Sequence, residues 1–227
     1  MDAAKQAARE GASHGTVVVA NEQTAGRGRL QRSWISPRDA NIALSVILYP
    51  SLLHLPRLTM MAAVAVARAV ERSTGLRPAI KWPNDVMLNG RKVCGILTDS
   101  ELQGGAVKYA IIGIGLNVNL DPSQYEEIAA TATSLYEEVG EKVSRTEVLQ
   151  ALLEELERAY NALQDGEAVS EEWRRRLETL GRQVCVTLTE GVEEGVAEDV
   201  DPDGCLLLRK GDGRLKRIVA GDVTLRG

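Results

Sequence analysis

Gly113-Ile-Gly-Leu-Asn-Val-Asn119 is the stretch on which the fold turns. Two glycines, one residue apart after an apolar run, look like the opening of a dinucleotide-binding fingerprint. That fingerprint requires a strand, a glycine turn and then a helix within a βαβ unit. Here Val107 to Ile114 reads as a strand, and Val118 and Leu120 continue the extended pattern rather than open a helix. The doubly wound reading fails, and mixed element order with hairpin-like neighbours points to an α+β domain.

The flanks supply those neighbours. Val86-Met-Leu88, then Asn89-Gly90, then Val93 to Leu97 is a hairpin signal, because Asn and Gly both tolerate the positive φ of a type I′ turn. Thr16 to Ala20 reads as a buried strand and Asn41 to Tyr49 as a second apolar strand, with a Gly- and Arg-rich loop at residues 24–33 between them. Pro56 opens a helix to about Ser73 that Gly75 stops; it is apolar round most of its circumference and should be central. Residues 2–10 read as an Ala-rich helix with Asp2 as N-cap and Gly11 as stop. Ser144-Arg-Thr-Glu147 is a capping box before a helix with Leu149, Leu152, Leu153, Leu156 and Tyr160 on one face. Ser170 caps a last helix that ends at Gly181. Beyond it, short strands alternate with turn signals at Glu190-Gly191, Asp201-Pro-Asp-Gly204, Gly211-Asp-Gly213 and Ala220-Gly-Asp222. The expected division is therefore a main domain over 1–180 and a small all-β module over 181–227.

Composition removes several function classes. Cys94, Cys185 and Cys205 are odd in number and form no C-x-x-C pair, so neither a disulfide framework nor a zinc site is expected. His14 and His54 are the only histidines, which excludes a His-based triad or a multi-His metal centre. A net charge of −5 argues against a general nucleic-acid binder. The longest apolar run, Met60 to Ala67, is short and flanked by Arg57 and Arg68, so no membrane span is expected. With no secretory pattern at the N-terminus, the expected location is cytoplasmic.

Four segments are able to carry chemistry. In Gln23-Thr-Ala-Gly26-Arg27-Gly28-Arg29, followed by Arg32, Ser33 and Trp34, the glycines let the backbone approach a ligand and the arginines suit phosphate or carboxylate. A solvated turn or an RGG-like RNA patch is the alternative. Lys81-Trp-Pro-Asn-Asp85 places a lysine, an amide and a carboxylate around a turn fixed by Pro83, with Trp82 packed beneath. Asp85 suits Mg²⁺, although taken alone the segment slightly favours the alternative, an Asx turn in which Asn84 and Asp85 bond their own backbone. Lys92 opens the strand Val93 to Leu97; a hairpin lysine is usually a solvated edge residue, but Gly95 inside that strand marks a close approach by something else. Gly113 to Asn119 is the fourth.

In this order and at these spacings, the four segments resemble the biotin–protein ligase family, and the resemblance runs along essentially the whole chain. It implies a catalytic domain like those of class II aminoacyl-tRNA synthetases and an SH3-like β-barrel at the C-terminus. It implies ATP and biotin as substrates, Mg²⁺, biotinyl-5'-AMP as intermediate and a lysine of a biotin carboxyl carrier protein as acceptor, with a homodimer common in the family. It implies that Gln23, Gly26, Arg27, Gly28, Arg29, Lys92 and Gly95 bind biotin. Arg29, Trp34, Lys81 and Asn117 would serve ATP, Asp85 the Mg²⁺, and Lys92, Arg29 and Arg27 the charge that develops during catalysis. The sequence departs from the family pattern twice. Many members have a third glycine where Gln31 stands, and a residue forced to φ > 0 there would cost roughly 1–2 kcal/mol. The strand ending in a Ser-Thr pair that precedes the first helix in other members has no counterpart before Met1-Asp2, and no helix-turn-helix precedes it, so DNA binding is not expected. The rival readings are a lipoate–protein ligase, an RNA-binding module working through the arginine loop, and a degenerate ligase that only senses biotin.

Overall fold

The structure is a computed structural model that describes residues 1–166 and 169–225, with Gln31 described by its backbone alone. In chain order the elements are α1 (Asp2–Arg9), β1 (Val17–Ala20), β2 (Gln23–Arg27), β3 (Ser33–Ser36), β4 (Ile42–Leu48), α2 (Leu58–Thr74), β5 (Ala79–Lys81), β6 (Asp85–Leu88), β7 (Arg91–Gln103) and β8 (Ala106–Leu116). There follow α3 (Leu135–Val139), α4 (Arg145–Gln164), α5 (Val169–Arg176), β9 (Gln183–Leu188), β10 (Gly191–Val200), β11 (Leu206–Arg209), β12 (Leu215–Ile218) and β13 (Asp222–Leu225).

The main sheet has six strands in the order β1-β4-β8-β7-β6-β5, every neighbouring pair antiparallel. That is the α+β arrangement expected. Its two faces follow from the period of two along a strand. Ala110, Ile112, Ile114 and Leu116 of β8 join the large core that includes α2 and α4. Tyr109 and Ile111 point the other way, where Ala4 and Ala8 of α1 cover them. On that second face, β8 continues with Gly113 and Gly115, so this strand is left without side chains there. The site is built on this bare strip.

Local chemistry explains the elements. Leu58 and every residue from Met60 to Ala67 are buried, so α2 is apolar all round, as its sequence demands. It stops at Gly75, whose φ of 74° suits a residue without Cβ. Asn89 and Gly90 have φ of 49° and 75°, the type I′ signature that fixes the β6–β7 register. Ser144 caps α4 by accepting a hydrogen bond from the Glu147 N–H.

Some expectations are corrected. β1 is an edge strand with Val19 exposed, because only β4 pairs with it. Much of the expected loop at 24–33 is strand: β2 and β3 pair as a two-stranded hairpin. Asp2 lies inside α1 without a capping bond and pairs instead with Arg27. The buried stripe of α4 runs through Val148, Leu152, Leu156, Ala159 and Leu163, which leaves Leu149, Leu153 and Tyr160 only partly covered. Ser170 sits inside α5 rather than before it, and that helix ends at Arg176, not Gly181. β8 ends at Leu116, and Asn117 to Asn119 leave the sheet.

Residues 183–225 form a five-stranded antiparallel sheet in the order β12-β11-β10-β9-β13 around Val184, Val186, Ala197, Leu206, Leu208, Ile218 and Val223. It is fastened to the main domain where Trp82 Nε1 donates to the Gly204 carbonyl at 2.8 Å. Within the basic stretch from Arg209 to Arg217, Arg209 pairs with Glu198, Lys210 and Lys216 share Glu193, Arg214 pairs with Asp212, and Arg217 with Asp201. All three cysteines are free thiols. Among the described residues no helix is long and apolar enough to cross a membrane.

Candidate active site

The antiparallel register sets Gly95 of β7 opposite Gly115 of β8, and Leu97 opposite Gly113. Alternation then points the missing side chains of Gly95, Gly113 and Gly115 to the same face, as a cradle. In the free chain that cradle is filled from within. A Cβ at Gly115 would lie 2.5 Å from Trp34 Cε2, one at Gly95 3.2 Å from Trp34 Cζ3, and one at Gly113 2.8 Å from the Met1 sulfur. Gly95 was expected to leave room for a ligand; the structure seats the Trp34 indole in that room. The indole N–H is buried there and donates to nothing. An orphaned donor costs about 1–3 kcal/mol, so the indole is a replaceable occupant.

Charged groups gather at one end of the cradle. Lys92 Nζ lies 2.7 Å from Asp85 Oδ1 and 5.6 Å from the Trp34 ring centroid, within cation–π range. Its stem runs beside Gly95, with Cε 3.2 Å from where a Cβ would stand. Lys92 is thus not a solvated edge residue. Asn84 is buried, not exposed as its turn suggested. It donates to the Ile96 carbonyl at 2.8 Å and accepts from Arg29 Nη1 at 2.8 Å, so it joins β7 to the arginine loop instead of closing an Asx turn. Burial lowers the pKa of the Arg29 guanidinium, against the opposing pull of Asp222 and Asp85.

The β2–β3 hairpin holds the loop. A Cβ at Gly26 would collide with the Trp34 carbonyl, so glycine there is required by strand approach. Gly28 has only ordinary contacts around its missing Cβ, and its small size is not demanded by the fold. The residue with positive φ is Leu30, at 52°, so the strain expected at Gln31 falls one position earlier. The C-terminal module clasps the loop from outside: Arg29 Nη2 donates to the Gly221 carbonyl at 3.0 Å, and Arg32 pairs with Asp222.

The structure therefore brings Lys92, Asp85, Asn84, Arg29, Trp34 and Gly95 together. Arg27 stands apart and exposed, paired with Asp2 of α1. Gln23 sits beside Gly26 at the base of the hairpin, its Oε1 3.2 Å from the Cβ position. Lys81 is half-buried one strand further out, opposite Asp85 across the β5–β6 turn. Asn117 is buried, with Nδ2 donating to the Thr133 carbonyl at 3.0 Å and Oδ1 accepting from Asn41 at 3.1 Å; it braces the cradle's end. Sequence reasoning missed the parts played by Gly115, Gly221 and Asp222. Gly-Ile-Gly alternation inside a strand was a usable signal for the first; the last two carry none, because they meet the loop only through tertiary structure.

Known proteins resemble this chain in sequence and fold. The model of the Biotin/lipoate A/B protein ligase family matches residues 3–117, and that of the Biotin protein ligase C terminal domain matches residues 179–226. The chain is 38% identical over 227 residues to the bifunctional ligase/repressor BirA of Bacillus subtilis, an alignment covering 98% of this chain and 70% of that protein. It is 36% identical over 225 residues to the biotin–[acetyl-CoA-carboxylase] ligase of Paracoccus denitrificans, covering 96% of this chain and 93% of the relative. The biotin protein ligase of Aquifex aeolicus, solved in complex with biotin and ATP, superposes with a TM-score of 0.81 at 33% identity, over 98% of this chain and 93% of that one. The mixed main domain and antiparallel C-terminal sheet are the class II synthetase-like and SH3-like parts that the resemblance implied. By family match, identity and fold, this chain belongs to the biotin protein ligase family.

Proposed function

We propose that the chain activates biotin with ATP to biotinyl-5'-AMP and transfers the biotinyl group to a lysine of a biotin carboxyl carrier protein. The observation that carries this is the glycine cradle ending at Lys92 and Asp85, with Arg29 alongside. The main domain, 1–180, holds the substrates, and the module, 181–227, clasps the loop over them. Biotin's carboxylate oxygen attacks the α-phosphorus of ATP and pyrophosphate leaves; the carrier amine then attacks the acyl carbon and AMP leaves. Neither step needs a nucleophilic side chain, which fits a site whose neighbouring thiol, Cys94, is buried in the core and held protonated by that burial. Both need fixed cations where negative charge develops. Lys92 supplies one at the carboxylate end and Arg29 a second, while Trp34 moves from the cradle to the adenine side and Lys81 faces the outer phosphates. Arg27 must leave Asp2 to take part.

Mg²⁺ fits as a partner of the nucleotide. Asp85 is the carboxylate beside Lys92, and among the described residues no three His, Cys, Asp or Glu gather as a metal site. Such a donor set suits an ion held mainly by phosphate oxygens, where it would screen their charge.

Transfer is tested with a carrier domain, biotin, ATP and Mg²⁺, read by streptavidin capture. Biotinylation that disappears when the acceptor lysine is changed to Arg supports the proposal; a label that lipoate displaces at equal concentration supports the lipoate rival instead. The cradle has its own test. Gly115→Ala adds a methyl group to the floor on which the ligand must lie, so biotin binding, measured by calorimetry, should weaken about 10- to 200-fold. Unchanged affinity would place biotin elsewhere.

A further inference from the structure

A chain of side-chain amides runs behind the cradle. Asn41, 1% exposed, has its side chain fully engaged: Nδ2 donates to the Ile35 carbonyl at 3.1 Å and to Asn117 Oδ1 at 3.1 Å, and Oδ1 accepts from the Val118 N–H at 3.2 Å. Ile35 follows Trp34 directly. On the other side, Asn117 Nδ2 donates to the Thr133 carbonyl at 3.0 Å, and the Thr133 N–H donates to the Lys92 carbonyl at 2.9 Å. Two buried amides, Asn41 and Asn117, thus link the strand that carries Trp34 to the segment that holds the Lys92 backbone.

Arg145, at the start of α4, fixes the Asn41 backbone from outside. Its Nε donates to the Asn41 carbonyl at 3.0 Å and its Nη2 to Asn21 Oδ1 at 3.0 Å, and its Nη1 lies 3.4 Å from Asp39 Oδ1. Asn21 precedes β2 and Asp39 follows β3, so one guanidinium closes both ends of the loop-bearing hairpin. Its planar fork of donors suits three acceptors at once in a way an ammonium does not. Arg145 is held in turn by Asn119, which donates to the Val143 carbonyl at 2.9 Å and accepts from its N–H at 3.0 Å.

We infer that Arg145 and Asn41 are positioning residues, which set Trp34 in register with the Lys92 end of the cradle without touching substrate. The kinetic part rests on the ligase proposal; the placement of Trp34 does not.

Arg145→Ala is the working variant, because its side chain is 26% exposed and its loss leaves the core intact. Trp82 and Trp173 are 1% and 2% exposed, so acrylamide quenching of fluorescence reports Trp34. The expected results are stronger quenching and an ATP KM raised about tenfold, with kcat within about twofold and a thermal midpoint lowered by at most a few degrees. Arg145→Lys, which keeps the charge but not the fork, should fall between the two. Unchanged quenching overturns the inference. So does an unchanged ATP KM in an active enzyme, or a larger fall in midpoint with KM and kcat worsening together, which marks a merely structural role. A wild-type chain with no biotin-dependent turnover would sink the ligase proposal, and the quenching measurement would still decide the placement of Trp34.

Discussion

Lys92→Met lowers biotin-dependent pyrophosphate exchange by about 10²-fold or more. Met keeps the unbranched stem that packs beside Gly95 and removes the charge alone, so the loss is electrostatic rather than steric. Lys92 is the cation seated at the end of the glycine cradle, paired with Asp85 and over the face of Trp34. In water such a charge is worth little, but in a dry site aimed at developing negative charge it is worth several kcal/mol. The loss should appear in kcat, and the thermal midpoint falls as well, because Asp85 Oδ1 is buried and loses the Lys92 ammonium. Wild-type exchange in Lys92→Met would remove Lys92 from the chemistry.

Arg29→Ala has the second largest effect, again on the order of 10²-fold in exchange. Arg29 makes two kinds of contact, and each has its own control. It bonds Asn84 beside Asp85, and it bonds the module through the Gly221 carbonyl. If its charge is what matters, Asp222→Asn, which breaks the Arg32 pairing and removes one nearby carboxylate but keeps the Arg29 guanidinium, leaves exchange within a few-fold of wild type. If the clasp is what matters, Asp222→Asn falls as far as Arg29→Ala. Exchange at the wild-type rate in Arg29→Ala would exclude both.

Much of the architecture was legible because it is local. Gly75, the Asn89-Gly90 turn and the Ser144 cap each declare themselves within a few residues, and the all-round apolar surface of α2 announced a central helix. β1 read as buried because composition cannot tell a central strand from an edge; that depends on which strands pair, a property of the whole sheet. The hairpin β2–β3 read as loop because Gly and Arg mask strand propensity, and the pairing is made by tertiary hold on its ends. At the site, residue identities were legible and their groupings were not. Asn84 bonds Arg29 and stands next to Asp85, which pairs with Lys92, yet Arg27, two residues from Arg29, points to α1. Arg27 ends β2 whereas Arg29 lies in the turn beyond it, so the two cations do not share one strand face, and no spacing rule says where each will point. Asn117 looked like a ligand contact, while its hydrogen bonds place it in the brace behind the cradle.

The most direct test is biotin-dependent exchange of labelled pyrophosphate into ATP, with Mg²⁺ and no carrier protein. The adenylation proposed for this site predicts exchange that requires biotin, is not supported by lipoate in its place, and is lost in Lys92→Met. Absence of exchange, or exchange that prefers lipoate, would contradict it.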